Sequence, residues 1–369
     1  MHRILLLGTA PPQADAAKIL KEKGCYVIGC SCRHQGSALK YLDRFELIDI
    51  INIDALIQLA QNERIDLIFS IGSDIGTRSA AYVSAALEKP SFIGPDIIDA
   101  AANKITLRRL LENAGLNSVR FQSIDSEADL DKWHLYPAIV KPADSQGQRG
   151  VRRVENRAEA QQALLAGRSY SPTGQVIIEE FVEGPEISAN VWVEAGRVEF
   201  CQITDRLVFS DLPGGIPRAH LSPSRVCQGS LAAATRQLIE KTVKALGITA
   251  GPVYFQIKLA ADGPKIIEVT PRLDGCHLWR LIERTTGVNL LETTLNVLMD
   301  QPGGNLRGRD LGSASLTFMA ALPNTRFDPS RYSIPPESVY HEFYYEKGET
   351  VVAVNGLLEK VGYYIEVNG

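Results

Sequence analysis

The stretch PVYFQIKLAADGPKIIEVTPR, residues 252–272, decides the fold. Its two apolar arms flank Asp262 and Gly263, a pair typical of a tight turn, so the segment is predicted to be a β-hairpin. Antiparallel pairing of the arms would place Gln256 across from Glu268. The hairpin therefore predicts two oxygen-bearing side chains side by side on one face of a sheet.

Strand alternation extends this face beyond Glu268, because Thr270 and Arg272 follow at every second position. Side-chain oxygens of this kind suit Mg²⁺, or Mn²⁺, which takes its other ligands from phosphates and water. An arginine on the same face can neutralise charge on a phosphoryl group during its transfer. The alternative is a solvated face of mixed polar residues, but the apolar flanks VYF and KIIEV argue against full exposure.

A second candidate site lies upstream, where Lys141 ends the apolar run YPAIVKPA at 136–143. A partly buried ammonium is costly unless an anion meets it. The loop that follows, 145–150, contains Gly147 and Gly150, which let backbone N–H groups approach a polyanion closely. A lysine next to such a loop predicts a phosphate site, although an ordinary hairpin loop would also fit.

The segment IIEEFVEGPE, residues 177–186, runs from apolar residues into adjacent carboxylates and a turn. Such a strand end could offer backbone hydrogen bonds to an adenine, and Glu186 could accept a ribose hydroxyl. Taken alone, the segment is better explained as an edge strand with solvated acids.

The first 100 residues alternate short apolar runs with helical patterns, which predicts parallel βαβ units in a small doubly wound α/β domain. The first strand-to-helix turn reads GTAPPQ and lacks the G-x-G-x-x-G fingerprint, so NAD binding is not expected. A P-loop motif is also missing. The predicted strands are 3–9, 25–30, 45–50, 65–72 and 91–94.

Composition narrows the function further. With 369 residues the chain can hold about two or three domains. Its net charge of −4 argues against a dedicated nucleic-acid binder. No apolar run reaches the roughly 18 residues that a membrane span needs, and MHRILLLGTA does not resemble a secretory signal. A cytoplasmic location is therefore expected.

Several motifs occur together in a fixed order: Lys104, the Lys141–Pro142 pair with its glycine loop, IIEEFVEGPE, and FQIKL followed by GPKIIEVTPRLDG. In this order they resemble the ATP-grasp superfamily, and in particular its carboxylate–amine ligase branch. The chain is similar to the large-subunit modules of carbamoyl-phosphate synthetase and to L-amino-acid ligases over about residues 1–300. The resemblance implies an ATP-grasp architecture of α/β and α+β parts. These are an N-terminal α/β domain (1–100), a small ATP lobe (101–185) and a larger antiparallel lobe (186–369).

The resemblance also implies roles for individual residues. Arg272 would steady the acyl-phosphate transition state, and Lys141 would act on the ATP phosphates. Gln256 and Glu268 would bind metal. Thr270 departs from the asparagine usual at its position, so a second metal ion would need water in its place. The implied nucleotide contacts are Lys104, Lys141, Ser145, Gly147, Gly150, Glu179, Glu180, Phe181, Val182 and Glu186.

The carboxylate of the acid substrate needs a cation to bind it, and arginine is the usual one because it can donate two parallel hydrogen bonds. The stretch 209–224, rich in Gly, Pro and Ser, is predicted to be a loop, and in relatives the comparable loop borders the acceptor site. Arg218 and His220 in this stretch are substrate candidates, although solvated loop residues remain an alternative. His277 could meet a substrate carboxylate or simply pack. The arginine candidates are Arg206, Arg218, Arg272 and Arg280.

The expected activity is ATP-dependent activation of a small carboxylic acid, perhaps an amino acid, and its transfer to an amine. Two alternatives stay open: a purine-pathway ligase acting on a ribonucleotide, and a nucleotide-binding module that lost turnover, for which Thr270 is the only support. The chain shows no biotin-carrier motif or glutaminase domain, so complete carbamoyl-phosphate synthesis is not expected. The expected partners are small-molecule carboxylate and amine substrates, and the chain could form a homodimer.

Overall fold

In a computed structural model of the protein, the strands among the described residues form three sheets, with helices against their faces. None of the helices in the part of the chain described is long and apolar enough to cross a membrane. The structure describes residues 1–116, 119–145, 147, 149–209, 212, 215–354 and 356–368.

The N-terminal sheet is parallel, with strand order β3-β2-β1-β4. Alternate side chains of β1 enter different cores: Leu5 and Leu7 face α2 and α3, whereas Ile4 and Leu6 face α1. Helices on both faces make the sheet doubly wound, as predicted. The elements are β1 (Arg3–Leu7), α1 (Pro11–Glu22), β2 (Tyr26–Cys30), β3 (Arg44–Glu46), α2 (Ile53–Asn62), β4 (Leu67–Phe69), α3 (Asp74–Ala86) and α4 (Pro95–Ala102).

Two predictions for this region are wrong. Residues 91–94 form no strand; Phe92 instead packs edge-on against Trp192, with ring centroids 5.5 Å apart. A contact with a distant residue therefore outweighs the local apolar pattern. The helical spacing of Leu107, Leu110 and Leu111 predicts a single helix over 96–115, but two helices form instead. The break is at Asn103, whose backbone is extended and whose side chain accepts the N–H groups that start the second helix.

The second sheet is antiparallel, with strand order β5-β8-β6-β7. Its apolar face packs against α6, where Ala160, Ala163 and Leu164 are buried. The sheet carries Lys141 and Glu179 on adjacent strands. The elements are α5 (Lys104–Asn113), β5 (Phe121–Ile124), β6 (Ala138–Pro142), β7 (Arg152–Val154), α6 (Arg157–Tyr170) and β8 (Val176–Glu180).

The third and largest sheet is antiparallel, with strand order β13-β12-β9-β10-β11-β14-β16-β15. The predicted α/β and α+β combination is confirmed. The elements are β9 (Glu186–Glu194), β10 (Arg197–Val208), β11 (Pro217–Ser222), α7 (Gly229–Ala245), β12 (Gly251–Ala260), β13 (Gly263–Thr270), α8 (Leu278–Thr286), α9 (Leu290–Leu298), β14 (Ser313–Ala321), β15 (Ser338–Phe343) and β16 (Glu359–Asn368).

One core joins the N-terminal sheet to the large one. Ile4 and Leu20 belong to the same buried cluster as Leu281 of α8 and Leu291 of α9. Helices α8 and α9 therefore lie between the two sheets, and the loop that leads from β13 into α8 is held close to the carboxyl ends of the parallel strands. Gly72, just after β4, comes so near Gly275 of that loop that a Cβ on Gly72 would meet the Gly275 Cα at 2.7 Å.

Candidate active site

A buried ion-pair cluster lies at the centre of the small sheet. The Lys141 ammonium is 2.6 Å from Glu179 Oε2, and Arg108 Nε donates to Glu179 Oε1 at 2.9 Å. All three side chains are almost fully buried. Arg108 also donates from Nη2 to the carbonyl of Ile267 at 2.8 Å, which links α5 to the hairpin of β12 and β13.

The charges in this cluster depend on one another. Burial lowers the pKa of Lys141 to about 8, although the charge of Glu179 opposes this shift. Burial by itself would raise the pKa of the Glu179 carboxyl, but the charges of Arg108 and Lys141 outweigh it and lower that pKa to about 2. Lys141 is therefore a cation held in place by an anion, and it can lose its proton under mildly alkaline conditions.

The predicted phosphate loop begins beside this cluster. Lys104 Nζ donates to the carbonyl of Ser145 at 2.9 Å. The Ser145 hydroxyl is buried and has no hydrogen-bond partner within the described chain. Gly147 and Gly150 have φ values of 68° and 74°, which favour glycine. Residues 146 and 148, which belong to the same predicted loop, lie outside the described residues.

The predicted adenine segment follows β8. The Glu179 carboxylate is committed to Arg108 and Lys141, so this residue could contact a base only through its backbone. Glu180 accepts from Lys265 at 2.9 Å, and the Arg153 guanidinium lies 4.3 Å from the Phe181 ring centroid. The backbone groups of Val182 make no hydrogen bond to any described residue. Val182 thus offers the free backbone N–H and C=O that an adenine needs.

The hairpin of β12 and β13 has the predicted register, with Gln256 directly opposite Glu268. Gln256 Nε2 donates to Glu186 Oε1 at 2.6 Å, which leaves its amide oxygen available. The carboxylate of Glu268 has no ion pair or hydrogen bond with any described residue. The buried hydroxyl of Thr270 has no partner there either. Oxygen atoms without protein partners on one strand face fit a divalent cation and its water ligands.

Two arginines near the hairpin are already paired. Arg206, which is buried, forms an ion pair with Glu186 and also donates to the carbonyl of Gly215 at 3.0 Å. Arg272 Nε donates to Asp74 Oδ1 at 2.6 Å. Asp74 is the first residue of α3, so the N-terminal region orients the guanidinium of Arg272.

The predicted substrate residues do not gather at one point. His277 Nδ1 lies 2.8 Å from Asp15 Oδ2, and Arg280 Nη2 lies 2.7 Å from Asp15 Oδ1. Both contacts join α8 to α1 in the N-terminal region. Of the two alternatives for His277, packing is the one observed, with its ring stacked 4.5 Å from that of Tyr363. A substrate contact by His277 or Arg280 stays a prediction.

The loop prediction for 209–224 is wrong over part of its length. Residues 217–222 form β11, which is hydrogen-bonded to β10 on one side and β14 on the other. One neighbour, β10, is the preceding strand, but the other, β14, lies about a hundred residues further along the chain, so the local composition could not reveal it. Arg218 is exposed, whereas His220 is fully buried and neither of its ring nitrogens has a partner within the described residues. Burial, together with the charges of Arg206 and Lys360, lowers the pKa of His220 well below its usual range.

Sequence reasoning missed Arg108, Asp74 and Asp15. Arg108 could have been found, because it follows Lys104 by one helical turn and therefore shares its helix face. Asp74 and Asp15 had no such signal, since their partners are 198 and 262 residues away.

Most residues of this site lie in a segment that matches a known family. The model of the ATP-grasp domain matches residues 134–278, from just before Lys141 to just after the hairpin of β12 and β13. A formate-dependent phosphoribosylglycinamide formyltransferase of Prochlorococcus marinus is 23% identical over 338 residues, which cover 88% of this chain and 83% of the relative.

Solved structures share the fold over nearly the whole chain. The L-amino acid ligase of Bacillus licheniformis superposes with a TM-score of 0.81 at 20% identity, covering 99% of this chain and 93% of that one. The N5-carboxyaminoimidazole synthetase of Staphylococcus aureus, solved in complex with ADP, gives a TM-score of 0.79 at 16% identity, covering 100% and 93%. Residues 134–278 thus match the ATP-grasp domain, and the chain as a whole is similar in fold to an L-amino acid ligase and to an N5-carboxyaminoimidazole synthetase.

Proposed function

We propose that the protein uses ATP to activate a small carboxylic acid as an acyl phosphate, and then transfers the acyl group to an amine. One observation carries the proposal. Arg108 connects two parts of the site that differ in charge. On one side it binds Glu179, which also binds Lys141. On the other side it binds the carbonyl of Ile267, the residue before the unpartnered Glu268. A site for a metal–triphosphate complex needs cations on one side and a carboxylate on the other.

The nucleotide would lie between Lys141 on one side and Glu268 on the other. Lys104, Lys141 and the unpartnered hydroxyl of Ser145 would meet its phosphates. The free backbone groups of Val182 would bind the adenine, and Glu186 would accept from the ribose hydroxyls. Mg²⁺, or Mn²⁺, bound by Glu268 and Gln256 would neutralise the phosphate charge, with water beside Thr270 completing the ligand set.

The chemistry then proceeds in two displacements. A carboxylate oxygen of the acid attacks the γ-phosphorus, and ADP leaves with the electron pair of the broken bond. Arg272, oriented by Asp74, stabilises the charge on the moving phosphoryl group. The amine then attacks the acyl carbon, and inorganic phosphate leaves. Phosphate is a far better leaving group than the oxide that an unactivated carboxylate would have to release.

A purine-pathway ligase acting on a ribonucleotide is the second candidate, because the formyltransferase and synthetase relatives carry such names. The arginines near the hairpin count against it. Arg206, Arg272 and Arg280 are each bound to a protein carboxylate, so none is left with its charge unmatched for a 5′-phosphate dianion. The expected homodimer and cytoplasmic location stay predictions.

The test is a product analysis with a panel of carboxylic acids and hydroxylamine as a small amine. The correct acid should yield ADP, inorganic phosphate and a hydroxamate in equal amounts. Arg272→Ala should suppress all three, because it acts before the amine arrives, whereas Arg284→Ala, an exposed arginine of α8, should leave them unchanged. AMP and pyrophosphate as products would contradict the mechanism, and no turnover with any acid would favour a nucleotide-binding module.

A further inference from the structure

The loop between β13 and α8 contains a carboxylate that the proposed mechanism does not yet use. Asp274 is 3% exposed, and its Oδ1 accepts the Leu278 N–H at 3.4 Å. Its Oδ2 is buried without a hydrogen-bond partner in the part of the chain described. A buried carboxylate oxygen without a donor is costly, so its retention points to a donor supplied by a ligand.

A lysine with no carboxylate partner lies next to this loop. Lys360 of β16 places its ammonium 3.2 Å from Cys276 Sγ and 3.7 Å from the Phe318 ring centroid. No carboxylate of the described chain is within ion-pair distance of it. The charge of Lys360 nonetheless acts on both Asp274 and Cys276, so the three side chains form one cluster. We call Asp274, Cys276, Phe318 and Lys360 the Asp274–Lys360 pocket.

The charges around this pocket restrict what it can bind. The nearby arginines are neutralised: Arg206 by Glu186, and Arg272 by Asp74. Among the charged groups of this pocket, one ammonium then has no anion and one carboxylate oxygen has no donor, while the neighbouring His220 ring is neutral. A ligand with one carboxylate and one ammonium matches both, whereas a phosphate dianion would face Lys360 alone and would lie close to Asp274.

We propose that the Asp274–Lys360 pocket is the acceptor subsite and takes a zwitterionic amino acid, with the carboxylate on Lys360 Nζ and the ammonium on Asp274 Oδ2. This inference rests on the proposed function, since it supplies the amine that attacks the acyl phosphate. It also names the substrate class, an amino acid, and makes the product an N-acyl amino acid or a dipeptide.

The same carboxylate can prepare the amine for attack. An ammonium has no free electron pair, so it must first lose a proton. When that proton passes to Asp274 Oδ2, the neutral amine uses its electron pair to form the C–N bond, the C–O bond to phosphate breaks, and the departing phosphate takes the second proton from the nitrogen. Burial raises the pKa of the Asp274 carboxyl, which makes the carboxylate a better proton acceptor than an exposed aspartate.

Cys276 provides a measurement that needs no turnover. Each of the standard L-amino acids would be tested for slowing the alkylation of Cys276 by iodoacetamide, followed by peptide mass spectrometry, with the exposed Cys32 as internal reference. The amino acid that binds should protect Cys276 by about tenfold at saturation, while its N-acetyl derivative, which lacks the ammonium, should not. If none of the amino acids protects Cys276, the subsite is wrong even where ligase activity is found.

Kinetics of two variants complete the test. In Lys360→Gln and Asp274→Asn the KM for the amino-acid acceptor should rise by about tenfold or more, because each loses one charged hydrogen bond. Hydroxamate formation from the donor acid and the KM for ATP should stay within about twofold, as should every parameter of the exposed control Lys347→Gln. Melting temperatures identify a variant that fails to fold. If Asp274→Asn fails to fold, the test rests on Lys360→Gln, which changes a half-buried position of a strand.

An unchanged acceptor KM in the folded variants would overturn the subsite while leaving the ligase intact. Absence of hydroxamate and phosphate release from the wild-type enzyme, with every acid tried, would instead contradict the proposed function.

Discussion

Glu179 and Glu268 are two carboxylates on either side of Arg108, and they are partnered in opposite ways. Glu179 is buried, and Arg108 and Lys141 each bind one of its oxygens. Glu268 is half-buried, and its carboxylate has no partner in the described chain, although Arg108 binds the carbonyl of the residue before it.

We interpret Glu179 as a structural charge and, under the proposed function, Glu268 as a functional one. Glu179 neutralises two buried cations and so fixes the position of Lys141 before any nucleotide arrives. Glu268 contributes less to the fold, because its carboxylate forms no ion pair or hydrogen bond with a described residue and its charge acts on Arg272 and Arg206 only from a distance. Loss of Glu179 should therefore damage stability, and loss of Glu268 should damage turnover.

The largest effect is expected from Glu179→Gln. This change leaves Arg108 and Lys141 buried without their anion, which typically costs about 3–5 kcal/mol of unfolding free energy. Urea denaturation followed by circular dichroism measures it. The control is Glu180→Gln on the same strand, whose carboxylate pairs with Lys265 at the edge of the site and should cost about 1 kcal/mol or less. Similar losses in the two variants would contradict the assignment of Glu179 as the structural charge.

Glu268→Gln should have the opposite effect, a large loss of turnover with little loss of stability. The variant keeps the shape of the side chain but removes the charge available to a metal, so turnover should fall by about 10²–10³-fold. The melting temperature should change little, since no protein contact is lost. Asp262→Asn, at the exposed tip of the same hairpin, is the matched control and should keep its activity. Full turnover of Glu268→Gln at limiting Mg²⁺ would exclude a metal role for this residue.

The same comparison shows how far the sequence could predict this site. The pairing of Gln256 with Glu268 was predictable, because a Gly-containing turn and two alternating arms fix the register over a short distance. Lys141 was predictable as a buried cation, but its anion was not. Glu179 lies 38 residues beyond Lys141 on an adjacent strand, and the apolar run around it gives no sign that its side chain faces inward.

Contacts between distant regions of the chain were even harder to predict from the sequence. His277 was assigned to a substrate because its partner, Asp15, belongs to a helix in a different region of the chain. His220 was assigned to a loop, but it lies on a strand that pairs with β10, the preceding strand, and with β14, about a hundred residues further along the chain. In both cases long-range pairing decides burial, and local composition does not record it.

A change of pH should reveal the charge of Lys141, the cation that Glu179 holds in place. Because its pKa is about 8, Lys141 is mostly protonated below that pH and loses its charge above it. The value of kcat/KM for ATP, which reports the free enzyme, should therefore fall by about tenfold between pH 8 and pH 9.5. Lys141→Arg should remove this decline, because an arginine stays charged throughout. A decline of equal size in both proteins would assign the titration to another group.

The smallest effect is expected at Thr270, whose hydroxyl is buried beside Glu268 without a partner in the described residues. Thr270→Asn would bring an amide oxygen toward the metal or its water. One added hydrogen bond or weak ligand is worth about 0.5–1.5 kcal/mol, so the Mg²⁺ concentration for half-maximal activity should fall by about 2–10-fold.

Thr270→Val decides how the result at Thr270 is interpreted. Valine has nearly the shape of threonine but no hydroxyl, so it removes a buried polar atom without opening a cavity. If water beside Thr270 needs no help from the hydroxyl, the valine variant should keep the wild-type Mg²⁺ requirement and gain slightly in stability, because an unsatisfied group is gone. If the hydroxyl itself orders that water, the requirement should rise instead, and Thr270→Asn would then be replacing an existing ligand rather than adding one. Titrating Mg²⁺ against phosphate release in the three proteins separates these cases, because the valine variant needs more Mg²⁺ than the wild type only if the hydroxyl orders the water.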